Sequence, residues 1–269
     1  MFFKLNRDIG WAVSMDGLFW QYGGVALRAS HHDDLSFPFP FAWQDRMYLL
    51  PSSAQADGKL QLYEATSFPA QWTVAHEYSL AREIGDRHVV LLPATSNSTY
   101  VYLFSSAPDA DVMHLHYMVA SEFPLGRWQQ HALSPLSMEA ALGVPSGVSL
   151  APMEAAYKSM WSPRTSGRIA VSHGRLFRFA PNRSGSVYAW EITTLQPTSY
   201  CERVWSGVPG SSTTMPVFST PSASVDTPES MMSGAWRQGG IDGYDAHPRT
   251  GIDGQWLVFA TGLSKAGQS

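Results

Sequence analysis

Residues 34–72 read DLSFPFPFAWQDRMYLLPSSAQADGKLQLYEATSFPAQW, and this stretch decides the fold. Three short apolar runs, Phe37–Trp43, Met47–Leu50 and Leu60–Ala65, are followed by a tryptophan that opens a fourth, Trp72–Ala75. Gln44-Asp45-Arg46, a Pro/Ser/Gly segment ending at Gly58, and Ser67-Phe68-Pro69 separate them. β-rich runs divided by turn residues at this spacing predict a four-stranded antiparallel meander. Across Lys59–Leu62 polar and apolar residues alternate, the pattern of a half-buried strand. Phe37–Phe41 is apolar throughout, but Pro38 and Pro40 cannot donate to a ladder. That places the run at a sheet edge, as an innermost strand facing an axis.

The unit recurs. Ser14-Met15-Asp16-Gly17-Leu18-Phe19-Trp20 ends one copy, and Ser121-Glu122-Phe123-Pro124-Leu125-Gly126-Arg127-Trp128 ends another. A looser copy, Glu191–Tyr200, has Tyr at the Trp position. A period of roughly fifty residues with several strands per unit predicts a β-propeller, whose small sheets bury their faces by stacking around an axis. The expected fold is therefore all-β: a five-bladed β-propeller with incomplete first and last blades, formed by residues 1–269 as a single domain.

In order, residues 1–28 supply three strands of a first blade, with the inner strand that should precede them missing. Residues 34–75 form the second blade. The third takes His88–Leu92, Tyr100–Ser105, Met113–Ala120 and Trp128–Leu133. Residues 137–160 break the rhythm with two helix-favouring runs, and are expected as an insertion on a loop. The fourth blade takes Gly167–Val171, Arg175–Ala180, Ser186–Ile192 and Tyr200–Trp205. Residues 206–234, rich in Ser, Thr, Pro and Gly, are expected as a second, disordered insertion. Tyr244–His247 and Gln255–Ala260 begin a fifth blade.

The totals narrow the function. Of 269 residues 44% are hydrophobic and 15% charged, enough apolar material for a large core. The net charge of −4 lacks the basic footprint of a nucleic-acid binder. A lone cysteine, Cys201, excludes an internal disulfide and a thiolate-rich metal site. No apolar run reaches the roughly 18 residues of a membrane span.

Motifs for metal or nucleotide chemistry have plainer readings. Asp109-Ala110-Asp111 has the Asp-x-Asp form of a metal–nucleotide-sugar site but falls in a turn between antiparallel strands. His114 and His116 share one face of a strand without a third ligand at motif spacing, and read as a packed or exposed pair. His31-His32-Asp33-Asp34 reads as a solvated loop. No nucleophile elbow, P-loop or Gly-x-Gly-x-x-Gly is present, so neither a metal nor a cofactor is expected. The strongest constellation is positional. In a propeller the inner strands start at the axis, so Ser36, Asp86, Arg164, Arg168, Asp245 and His247 would converge there from distant parts of the chain. Such a lining suits sugar hydroxyls or an anionic group. Equally, these charges could pair with one another to close the axis.

These segments resemble the N-terminal domain of glucosamine inositolphosphorylceramide transferases and its stand-alone relatives, itself similar to five-bladed arabinanase/xylosidase-type hydrolases. The resemblance rests on Phe2-Phe3-Lys4, Ile9–Trp20, Asp34–Pro38, Tyr48–Ser53, Pro124–His131, Arg164–Arg168, Trp190–Leu195 and Trp236–His247. Lys4, Asp34, Ser52 and Asp242-Gly243 depart from it, standing where the family has Glu, His, Glu and a His pair. The family's opening Ala-Asp-Pro strand, whose Asp resembles the hydrolases' general base, would lie before Met1. No run of these 269 residues resembles the exostosin-like domain that carries transferase chemistry in full-length relatives.

The resemblance implies a glycan-recognition or accessory propeller, not catalytic alone, whose partner is a glycan or an inositol-phosphate-containing glycolipid head group. Full-length relatives imply a Golgi membrane setting. A degenerate glycoside hydrolase, which would need two carboxylates across the axis, and a protein-interaction scaffold are the alternatives.

Overall fold

A computed structural model describes residues 1–15, 19–31, 34–53, 59–80, 88–92, 99–106, 112–144, 154–165, 168–172, 174–181, 187–205, 241–248 and 256–262, with 88–92, 241–248 and 256–262 as backbone only. The chain divides into two compact units, Met1–Ser134 and Pro135–Ser269. The fold is all-β, built from open antiparallel sheets whose strands lie in chain order.

The first unit contains three sheets. The first is β1 (Phe2–Leu5), β2 (Asp8–Val13) and β3 (Gln21–Leu27). The second is β4 (Leu35–Trp43), β5 (Arg46–Ser53), β6 (Lys59–Ser67) and β7 (Gln71–Ser79). The third is β8 (His88–Leu92), β9 (Tyr100–Ser106), β10 (Met113–Val119) and the short β11 (Gln129–Gln130).

The local chemistry explains the second sheet. β4 is an edge strand, as its two prolines require. The register slips between Ser36 and Phe39, and Phe37 takes a φ of 45°, a left-handed conformation that a bulky residue adopts only under constraint. Gln44 and Asp45 both have positive φ, giving the tight β4–β5 turn the twist that a two-residue hairpin favours. Leu60 and Leu62 are buried, while Lys59 faces out to Glu77 at 3.0 Å. The repeated tryptophan has a local role, since the Trp72 indole donates to the Pro69 carbonyl (2.8 Å) and so closes its turn.

Packing then joins the sheets of this unit. β1 and β2 lie against β4, and β3 against β7. Ile9, Leu27, Leu35 and Leu49 make the shared core, flanked by Phe2, Tyr63 and Trp72. Between the second and third sheets, Phe123 packs on Phe41 and Trp43, and the Tyr78 hydroxyl donates to the Pro124 carbonyl (2.5 Å). β4 also runs beside β8, so the first strands of neighbouring sheets are adjacent. The expected strand Trp128–Leu133 is shortened to Gln129–Gln130. After Gln130 the ladder gives way to a turn in which the Ser134 hydroxyl accepts from the Leu115 N–H (3.1 Å).

In the second unit, β12 (Ala170–Ser172), β13 (Arg175–Pro181), β14 (Val187–Gln196) and β15 (Ser199–Val204) form a four-stranded sheet. β16 (Ile241–Pro248) and β17 (Trp256–Gly262) form a two-stranded one. The segment expected as a loop insertion supplies two short helices, α1 (Met138–Ala141) and α2 (Glu154–Met160). The Ser137 hydroxyl caps α1 by accepting from the Ala140 N–H (3.3 Å). Gly143 ends it with a φ of +67°, where a Cβ would stand 3.2 Å from the Cys201 sulfur. α1 lies against β15 with Met138 and Ala141 buried, and Tyr157 of α2 meets the Trp190 ring. This insertion therefore covers part of the sheet rather than standing away from it. The second expected insertion, 206–234, lies outside the described residues.

Candidate functional site

β13, β14 and β15 carry a buried charge pair that no motif announced. Arg178 stands in the otherwise apolar run Leu176–Ala180 and is fully buried. Its Nε and Nη2 donate to the two oxygens of Glu202 at 2.8 and 2.6 Å, a bidentate fork with both side chains out of water. The same carboxylate accepts from the Tyr200 hydroxyl (2.7 Å) and the Trp161 indole (2.7 Å). Burial and the Glu202 charge push the Tyr200 hydroxyl well above its usual range. With two guanidinium donors, a phenol and an indole around it, the carboxylate has four hydrogen bonds, which is what a buried charge demands.

The remaining donors of Arg178 reach the segment that leads into β12. Its Nη1 donates to the carbonyls of Ser162 (2.8 Å) and Arg164 (3.1 Å). The Arg164 N–H in turn donates to the Ser162 hydroxyl (3.2 Å). A fully buried cation thus pins the backbone of residues 162–164 from beneath. The half-buried Arg164 side chain, itself engaged by neighbouring groups, is carried on that fixed backbone. The Thr165 hydroxyl beside it is buried and has no hydrogen-bond partner among the described residues.

The six positions read from the sequence fare differently. Arg164 and Arg168 are both half-buried, and Arg168 stands two residues before β12. β12 runs beside β16, the strand that contains Asp245 and His247, paired along the backbone with Phe259 and Leu257. The backbone therefore places the strand that follows Arg168 beside the strand that contains Asp245 and His247. Ser36 is half-buried in β4, opposite Ser52 and immediately before the strained Phe37. Asp86 lies outside the described residues, as do Asp109-Ala110-Asp111, His32 and Asp33.

His114 and His116 are both buried in β10. Burial, reinforced by His114, pushes the His116 imidazole down to about 4, so it is neutral at physiological pH. Among the described residues no three His, Cys, Asp or Glu side chains are grouped to hold a metal ion, and no helix is long and apolar enough to cross a membrane.

Sequence reasoning missed Arg178, Glu202, Tyr200 and Trp161. The available signal was a single arginine inside an apolar strand. Such a residue must find a buried anion, but the sequence does not say which.

Over residues 3–208 the chain matches the family described as glucosamine inositolphosphorylceramide transferase 1, N-terminal. Glucosamine inositolphosphorylceramide transferase 1 of Oryza sativa subsp. indica is 27% identical over 211 residues, covering 74% of this chain and 24% of the relative. The protein of the same name from Oryza sativa subsp. japonica gives the same figures. That from Arabidopsis thaliana is 31% identical over 147 residues, covering 49% of this chain and 17% of its own length. The chain thus spans about a quarter or less of the curated relatives it matches.

Proposed function

From the premise that this chain belongs to the family of glucosamine inositolphosphorylceramide transferase N-terminal domains, we propose that it is a five-bladed β-propeller that recognises a glycan and performs no catalysis by itself. Its five sheets of three, four, four, four and two strands are the blades, the first and last incomplete. Two facts support the propeller reading. Consecutive strands stay in one sheet, and the first strands of neighbouring sheets run side by side, β4 by β8 and β12 by β16. Residues 1–269 form one domain in this reading.

The ligand is an inositol-phosphate-containing glycolipid head group, the class that the relatives' name denotes. Arg164 and Arg168 contact its phosphate, while Asp245 and His247 bind hydroxyls. The observation that carries this is the backbone of residues 162–164, held by the buried Arg178–Glu202 pair, which supports a half-buried arginine. A guanidinium on a fixed backbone is spared the cost of ordering that backbone on binding an oxyanion, and its planar fork suits phosphate or vicinal hydroxyls.

A glycan array together with calorimetry against inositol-phosphate-containing head groups tests the proposal. Binding that weakens at least about tenfold in Arg164→Ala and Arg168→Ala supports it. No binding to any inositol- or hexosamine-containing glycan would favour a protein-interaction scaffold.

A further inference from the structure

The β1–β2 turn and the connection from β3 to β4 meet in a cleft of about 460 Å³, lined by Asn6, Arg7, Asp8, Ala29, Ser30 and His31. Leu5 pairs with Asp8, so Asn6 and Arg7 form a two-residue turn. Asn6 takes a left-handed φ of 54°, which such turns favour and asparagine tolerates. His31 comes from the polar run His31-His32-Asp33-Asp34, whose composition reads as a solvated loop.

Four hydrogen bonds hold the walls of this cleft together. Arg7 Nη2 donates to the carbonyls of Ser30 (3.3 Å) and His31 (2.8 Å). The Ala29 N–H donates to Asp8 Oδ1 (2.8 Å), and the Leu35 N–H to the Arg7 carbonyl (3.0 Å). One carboxylate oxygen of Asp8 is thus engaged and the other is not. Asp8 Oδ2, the Asn6 amide and the His31 imidazole make no hydrogen bond to another described residue.

The cleft therefore offers a charged acceptor, an amide that both donates and accepts, and an imidazole, on a backbone already fixed. Its volume falls in the range of small-molecule sites, about 300–1,000 Å³. One arginine and one aspartate balance in charge. A phosphate would meet the Asp8 carboxylate, whereas hydroxyls, each able to donate and accept, suit every one of these groups.

We propose that this cleft binds an uncharged sugar or cyclitol ring, at a site that uses neither Arg164 nor Arg168. Asp8 Oδ2 accepts from one ring hydroxyl, the Asn6 amide and the His31 imidazole bond its neighbours, and no covalent step is involved. The proposal stands on the cleft alone and does not depend on phosphate recognition elsewhere in the chain.

Titration of the whole chain with methyl β-D-glucopyranoside and with myo-inositol tests this, read by the backbone amide NMR signals of Ala29 and Ser30, which no variant used removes. At least one ligand should shift them saturably; tighter binding of the glucoside assigns a sugar ring and of inositol a cyclitol, and either upholds the site. Asp8→Asn keeps an oxygen for the Ala29 N–H but puts a donor in place of the second oxygen. It should weaken binding at least about fivefold, the worth of one hydrogen bond. Asn6→Gly/His31→Ala keeps the left-handed turn and alters only exposed side chains. It should weaken binding as much, and covers the case in which Asp8→Asn disturbs the fold. Arg164→Ala/Arg168→Ala should leave the affinity unchanged, even where it abolishes binding of a phosphate-bearing head group. No saturable shift with either ligand, or unchanged affinity in Asn6→Gly/His31→Ala, would overturn the site, whatever the outcome at Arg164 and Arg168.

Discussion

Replacing Arg178 with Met separates two roles that the structure assigns to it. Arg178 is fully buried and makes four hydrogen bonds, two to Glu202 and one each to the carbonyls of Ser162 and Arg164. Arg178→Met keeps most of the volume and removes the cation. Glu202 would then be a carboxylate at 1% exposure held only by the Tyr200 hydroxyl and the Trp161 indole. Breaking a buried pair from one side costs about 3–5 kcal/mol, most of it the stranded charge. Because that charge dominates, Arg178→Met/Glu202→Leu should recover at least about 2 kcal/mol of the loss, although two carbonyls and the phenol lose partners. Urea unfolding followed by tryptophan fluorescence measures this, since Trp161 and Trp190 flank the pair. Hydrogen exchange at Arg164 reports the second role and should quicken in both variants, because neither holds the Ser162 and Arg164 carbonyls. A cost below about 1 kcal/mol for Arg178→Met would refute the reasoning, as would a double variant no more stable than the single.

Three further outcomes are expected. His116 titrates at about 4 in the fold and near 6.5 when unfolded, so its contribution is fully present above about pH 6.5 and is lost as pH falls toward 4. The loss is on the order of 3 kcal/mol, and His116→Phe should flatten that limb of the stability–pH profile. Gly126→Ala places a Cβ 2.7 Å from the Glu122 Cβ, in a turn closed by the Gly126 N–H to Glu122 carbonyl bond (2.7 Å). It should cost about 1–3 kcal/mol in denaturant midpoint, whereas Arg127→Ala beside it should be near neutral. Tyr78→Phe removes the bond to the Pro124 carbonyl between the second and third sheets, and should cost about 1 kcal/mol.

Much of the strand pattern was legible because local chemistry and tertiary packing agree. The prolines of Phe37–Phe41 mark an edge strand, the Lys59–Leu62 alternation marks its two faces, and Trp72 closes the turn that its motif predicts. The pattern misled where side chains replaced the ladder. Past Gln130 the expected strand would run on to Leu133, but the chain turns and the Ser134 hydroxyl accepts the Leu115 N–H. Residues 137–160 broke the period and read as an insertion on a loop with two helix-favouring runs; the helices form there, but the burial of Met138 and Ala141 was not legible. At the candidate site, the arginines ahead of β12 were visible as charge. What holds them was not, because Arg178 and Glu202 are 24 residues apart and neither lies in a motif. Pairing across a sheet is set by register, which periodicity leaves open.

The central claim is recognition of an inositol-phosphate-containing glycan through Arg164 and Arg168. Calorimetric titration of the chain with such a head group, beside the Arg168→Ala variant, tests it most directly. Binding should be saturable and should weaken at least about tenfold in Arg168→Ala while the variant's melting temperature stays within a few degrees of the parent's. Absence of heat with the unmodified chain, or equal binding by the two proteins, would contradict it.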